Sequence, residues 1–118
     1  MGLHYCIRLR LENHASFFGP GVEQILLLVD ETGSLQTAAA QMEMSYSKAW
    51  KIIRHAEQEL GFPLMERHVG GSGGGYSRLT PKGRDFVNRY TDFRQELCKV
   101  ADGLFEKYFN AGEQDEKD

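Results

Sequence analysis

"GSLQTAAAQMEMSYSKAWKIIRHAEQELG", residues 33–61, contains two helix starts and two helix stops within 29 positions. Ser34 and Ser45 each precede a helix-forming run, and a serine hydroxyl at that position accepts a bond from an otherwise orphaned backbone N–H. Gly33 and Gly61 stand where a helix ends, because glycine enters the left-handed conformation of a C-terminal cap at no steric cost. The spacing predicts a short Ala-rich helix over "LQTAAAQME" and a longer one over "YSKAWKIIRHAEQEL". Ala38, Ala39 and Ala40 are small, so the two helices can approach closely. On the longer helix Ala49, Ile53, Ala56 and Leu60 form one apolar stripe, with Ser47, Lys51, Arg54 and Gln58 opposite.

Upstream, "LHYCIRLRLE" alternates apolar and polar residues and reads as a half-buried strand over residues 3–12, broken by "FFGPG" at 17–21. Pro20 suits the first turn of a helix through "VEQILLLVDE" that stops at Gly33. Downstream, "FPLMERHV" leaves the helical pattern at Pro63 and predicts a short strand near 64–68. "YSRL" at 76–79 predicts a second. Between them lies "GGSGGGY", residues 70–76, which holds five of the thirteen glycines. It lacks the GxxxxGK[ST] pattern and opens no helix, so a nucleotide cradle lacks its second half. It reads as the tip of a hairpin. Thr80 and Pro81 then mark the start of a helix reaching about Phe109, and a polar tail follows.

Two helices joined by a tight turn and followed by a hairpin are the order of a winged helix-turn-helix. The expected fold is mainly α with a small β-wing: one domain over residues 1–118, with a head at 3–80, a dimerisation helix at 81–109 and a flexible tail at 110–118. Charge follows the same order. The chain carries −3 overall, but residues 45–90 carry +4 between flanks of −3 and −4. A basic middle in an acidic chain suggests one polyanion-facing surface. Ser34, Gln36 and Thr37 open the second helix, where hydroxyls and free N–H groups suit phosphate. Ser45, Tyr46, Ser47, Lys48, Lys51 and Arg54 lie at the start and on the polar face of the third. Gly73, Gly74 and Gly75 would let the wing backbone approach a sugar-phosphate surface, with Tyr76 and Arg78 adding stacking and charge. Trp50 borders core and groove and is read first as a packing residue, with a DNA contact as the other reading. His55 and His68 are read as surface residues beside the basic patch.

On the last helix Phe86, Tyr90, Phe93, Leu97, Val100 and Leu104 recur at steps of four and three, a heptad-like seam. A helix of about 28 residues is about 42 Å long, more than a small head can cover, so the seam is expected to pair with a second copy. Gly103 and Asp102 interrupt its end. Cys6 and Cys98 have neither zinc nor disulfide spacing. No Ser-His-Asp order, paired carboxylates or metal cluster points to an enzyme, and no cofactor is expected. The absence of a signal-peptide pattern and of a 20-residue apolar run leads to the expectation of a cytoplasmic protein.

The stretch "TGS" at 32–34, "AA" at 38–39, "SYSKAW" at 45–50, "ER" at 66–67, the glycine run, and "LT" at 79–80 with Gly83 resembles the DNA-binding domain of ModE-type molybdate-responsive transcriptional regulators. It is more distantly similar to LysR-type winged helices. The resemblance covers about residues 3–108. It implies a homodimer that binds double-stranded DNA and controls transcription, with the recognition helix at 45–54 and the wing at 73–75. The family's separate molybdate-binding region is expected to be absent, so no molybdate site carries over. The other reading is a winged-helix protein-interaction module without DNA contact.

Overall fold

The computed structural model describes residues 2–69 and 75–110. Two short strands, β1 (Leu11–Glu12) and β2 (Ser16–Phe18), precede α1 (Pro20–Thr32), α2 (Leu35–Gln41) and α3 (Tyr46–Leu60). The hairpin of β3 (Met65–His68) and β4 (Tyr76–Leu79) leads into α4 (Pro81–Phe105), which ends in a π-helical turn at Glu106–Asn110. The molecule measures 69 × 29 × 22 Å, its long axis set by α4 outrunning the head. Among the described residues no helix is long and apolar enough to cross a membrane.

The helix boundaries follow from the capping residues. Ser34, Ser45 and Thr80 each accept a hydrogen bond, from the backbone N–H of Thr37, Lys48 and Gly83. Gly33 at φ 74° and Gly61 at φ 83° close α1 and α3 in the left-handed region. Between α2 and α3 the turn tightens through Glu43 at φ 56°, and Met44 N–H reaches back to Ala39 C=O at 3.0 Å.

The core forms where the apolar stripes of α1, α2 and α3 meet Leu64, Leu79 and Val87. Ile25, Leu26, Val29, Ala38, Ala39, Ala49, Ile53 and Ala56 are all buried. Leu60 is half-buried at the edge of its stripe. Close approach of α2 uses only two of the three alanines, since Ala40 faces solvent.

The strand expected over residues 3–12 is a correction. Residues 2–10 form no regular secondary structure, and only Leu11–Glu12 pairs, with β2, across an irregular register. The alternation has no neighbouring strand to pair with. This arm lies along α4 instead: Tyr90 donates its hydroxyl to Leu9 C=O at 2.8 Å, and the Tyr5 ring rests 5.1 Å from Phe105. The Tyr5 hydroxyl donates to Asp102 and to Cys98 C=O. Leu3 and Ile7 are consequently exposed. The segment read as a breaker supplies the missing pairing partner and two core rings, Phe17 and Phe18.

α4 continues unbroken through Asp102 and Gly103. The tail expected to be flexible lies, from residue 111 onward, outside the described residues.

Candidate nucleic-acid interface

Every residue expected on the polar face of the helix-turn-helix is solvent-accessible. Gln36 and Thr37 are exposed on the first turn of α2, and Ser34 caps it. Ser45 caps α3, and Tyr46, Ser47, Lys48, Lys51 and Arg54 are exposed along it. Among the described residues no carboxylate pairs with Lys48, Lys51 or Arg54. Three uncancelled cations on one helix face give a local positive potential that the acidic whole does not have.

Trp50 is not a core residue. Its side chain is 40% exposed, and the Arg54 guanidinium carbon lies 4.9 Å from its ring centroid. A stacked guanidinium keeps its hydrogen-bonding edge free while its rotamers are restricted. Trp50 stands about 100° around α3 from the buried stripe, and at that position it is exposed rather than packed in the core.

A cleft of about 220 Å³ lies between the start of α2, the start of α3 and the hairpin. Ser34, Gln36 and Tyr46 line it together with Gly75 and Tyr76, so residues expected from three separate stretches converge there. Arg67 completes the lining; it is not among the site residues expected from the sequence, although "ER" carries part of the resemblance. It donates to the Tyr46 hydroxyl at 3.0 Å, and no carboxylate pairs with it among the described residues. The strand period supplies the missed signal: residues 65 and 67 share one face of β3, and that face meets the helices. Ser77 N–H bonds Gly33 C=O at 2.8 Å, which fastens β4 to the turn between α1 and α2.

The hairpin residues divide into two groups. Gly75 needs its missing Cβ for the hairpin itself, since a Cβ there would stand 2.5 Å from His68 C=O. Gly73 and Gly74 lie outside the described residues. Arg78 sits opposite Glu66 in the register, on the ribbon face away from Arg67 and Ser77. Its Nε donates to Glu66 Oε1 at 2.9 Å, and the same oxygen lies 2.8 Å from His68 Nε2. Hydrogen bonds from His68 and Arg78 hold the Glu66 carboxyl below the usual carboxylate range. The bond to Glu66 in turn raises the Arg78 guanidinium.

The seam of α4 begins later than the heptad spacing indicates. Tyr90 is 2% exposed and belongs to its own core, with its ring 4.8 Å from Phe18. Phe86 is half-buried against Phe17, Phe18 and Phe62. Both pack within the chain, because the first turns of α4 cover the head. Leu97 is half-buried, while Phe93, Val100 and Leu104 are more than half exposed.

Residues 24–84 match the helix-turn-helix of the bacterial regulatory proteins of the lysR family, from within α1 to the first turn of α4. The chain belongs to that family. Its helix-turn-helix is the one that this family of bacterial regulatory proteins shares. It is 32% identical over 92 residues to the molybdenum-pterin-binding protein MopB of Rhodobacter capsulatus, covering 76% of this chain and 34% of the relative. Against the DNA-binding transcriptional dual regulator ModE of Escherichia coli K12 it is 32% identical over 88 residues, covering 75% and 34%. The resemblance to the DNA-binding domain of ModE-type regulators therefore holds. The chain spans about a third of the length of these relatives. Two solved lysR-family folds superpose on it. ArgP from Mycobacterium tuberculosis does so with TM-score 0.56 at 22% identity, over 75% of this chain and 31% of that one. CbnR, solved in complex with its target DNA, does so with TM-score 0.55 at 20% identity, over 73% and 28%.

Proposed function

We propose that this lysR-family chain is a sequence-specific DNA-binding dimer, with α3 in the major groove and the hairpin tip against the backbone. The observation that carries the reading is the cleft in which Ser34, Tyr46 and Arg67 meet, beside a helix whose Lys48, Lys51 and Arg54 have no carboxylate partner among the described residues. A guanidinium steadied by a neutral phenol retains its full charge and its free N–H groups for a phosphate oxygen. Backbone N–H groups at the starts of α2 and α3 add to the same field. Phosphate contacts of this kind set register, and the side chains of α3 facing the groove then read base edges.

The dimer half of the reading rests on Phe93, Val100 and Leu104, which project from a helix that outruns its head. Residues 3–80 are the DNA-binding head and 81–109 the dimerisation helix in this reading. Two heads related by a two-fold axis present their α3 helices to half-sites one helical turn apart, ~34 Å, or a multiple of it.

Fluorescence-anisotropy titration of the purified chain against random duplex DNA over a salt series tests the reading. Binding that weakens log-linearly with salt, and that Lys51→Glu with Arg54→Glu abolishes, is the expected result. Wild-type chain that stays unbound at low salt would sink it and leave a protein-interaction scaffold.

A further inference from the structure

The wing carries two arginines in opposite electrostatic situations. Arg67 bonds a neutral phenol on the face that meets the helices. Arg78 bonds a carboxylate on the other face. The register sets Glu66 against Arg78 and His68 against Tyr76, so these four side chains share that outer face. They form a closed group. Glu66 Oε1 takes both Arg78 Nε and His68 Nε2, the His68 ring stacks on Tyr76 at 4.7 Å and 10°, and the Arg78 guanidinium lies 5.8 Å from the Tyr76 centroid. With His68 neutral the group has no net charge. At the neighbouring root of α4 two of the three cations are paired: Arg84 with Asp30 at 2.7 Å, and Arg89 3.8 Å from Asp85, while Lys82 lies 5.6 Å from the Phe62 ring. Among the described residues the flank that meets α3 has cations without a carboxylate partner, whereas on the outer face of the wing itself Glu66 cancels Arg78.

We propose that Glu66 is a specificity-determining residue: it cancels Arg78, so the outer face of the wing attracts no phosphate and Arg67 alone carries the wing's charge. This rests on the DNA-binding reading above. Each extra phosphate neutralised strengthens binding to every sequence alike and steepens the salt dependence by about 0.9 in log–log slope. Such affinity lowers the ratio of specific to non-specific binding, the quantity that matters among many competing sites. A carboxylate on the wing withholds it without touching the residues that read bases.

Glu66→Gln removes the charge and keeps an oxygen acceptor for Arg78 and His68. Salt series on random duplex should show the variant with a slope steeper by roughly 0.9 and affinity at low salt tighter by roughly five- to tenfold. Glu66→Gln combined with Arg78→Gln should return both to wild-type values. An unchanged thermal midpoint will show that the hairpin has kept its fold. A Glu66→Gln slope equal to or shallower than wild type overturns the proposal, as does a double variant that keeps the steeper slope. Wild-type chain without salt-dependent binding overturns the DNA reading itself, and the role of Glu66 with it.

Discussion

Glu23 on α1 and Arg94 on α4, 71 positions apart, are locked by two hydrogen bonds of 3.1 and 3.0 Å, and Thr91 adds a third to the same carboxylate at 2.6 Å. Glu23 is buried, and among the described residues its only cation comes from α4. Removing the guanidinium leaves a desolvated carboxylate with one hydroxyl for company. Arg94→Ala should therefore cost about 2–4 kcal/mol. Arg84→Ala, which breaks the more exposed pair with Asp30, should cost no more than about 1 kcal/mol. Urea midpoints of the two variants decide: equal losses would mean that burial of Glu23 does not set the strength of the clamp.

Two glycines in the same helix should respond in opposite directions to alanine. A Cβ at Gly83 would stand 2.1 Å from Leu64 C=O, a backbone atom that cannot step aside. Gly103 has open space around it. Gly83→Ala should destabilise by about 3 kcal/mol or more through overpacking. Gly103→Ala should stabilise by about 0.5–1 kcal/mol, because alanine has less backbone entropy to lose in a helix. Thermal unfolding of both variants, compared at the same chain concentration, checks the pair. A stable Gly83→Ala would mean that α4 does not press on Leu64.

Much of this fold is legible in the sequence where a local rule has a single outcome. Ser34, Ser45 and Thr80 begin helices because each side chain satisfies an N–H three residues on, and Gly33 and Gly61 end them. The unread parts depend on partners distant in the chain. Residues 3–10 alternate like a strand, yet their partner is a helix some ninety positions away. Spacing puts Tyr90 in the seam with Phe93, but only the curvature of the head around α4 decides that one is buried and the other bare. Arg67 and Arg78 look alike in sequence until the hairpin register assigns them opposite faces.

The arm along α4 should detach at alkaline pH. Tyr5 donates to Asp102, and losing the proton would remove that bond and set two negative charges side by side, so its pKa is pushed up to about 12. A folded pKa above the ordinary tyrosine value of about 10 means that the contact is fully present below pH 10 and is lost as pH rises through about 12. Ultraviolet titration of the five tyrosines should show a step near pH 12 that Tyr5→Phe lacks. Titration of Tyr5 at the ordinary value would show that the arm is not seated in solution.

The exposed seam should control association without supporting the head. Val100→Asp with Leu104→Asp puts charge on positions more than half exposed in the single chain. Sedimentation of the wild-type chain is expected to give a dimer, and the double variant a monomer with near-native helix content. Its affinity for a two-half-site duplex should fall by at least tenfold, since each head then binds alone. A wild-type monomer at micromolar concentration would exclude this seam as a dimer contact.

The crowding of Gly83 against Leu64 has a mechanical corollary. Thr80, the one residue between β4 and α4, is itself bonded to Pro63 C=O at 2.7 Å and to Leu64 C=O at 3.0 Å, so wing root and helix root are one joint. α4 is then a lever whose short arm is the wing. At about 1.5 Å per residue, a rotation of about 10° at Gly83 carries Phe105 through roughly 6 Å. Two contacts oppose that swing, the Glu23–Arg94 clamp on α4 and the Ser77–Gly33 bond on the hairpin, so a load on the far end of α4 is passed into the head through both.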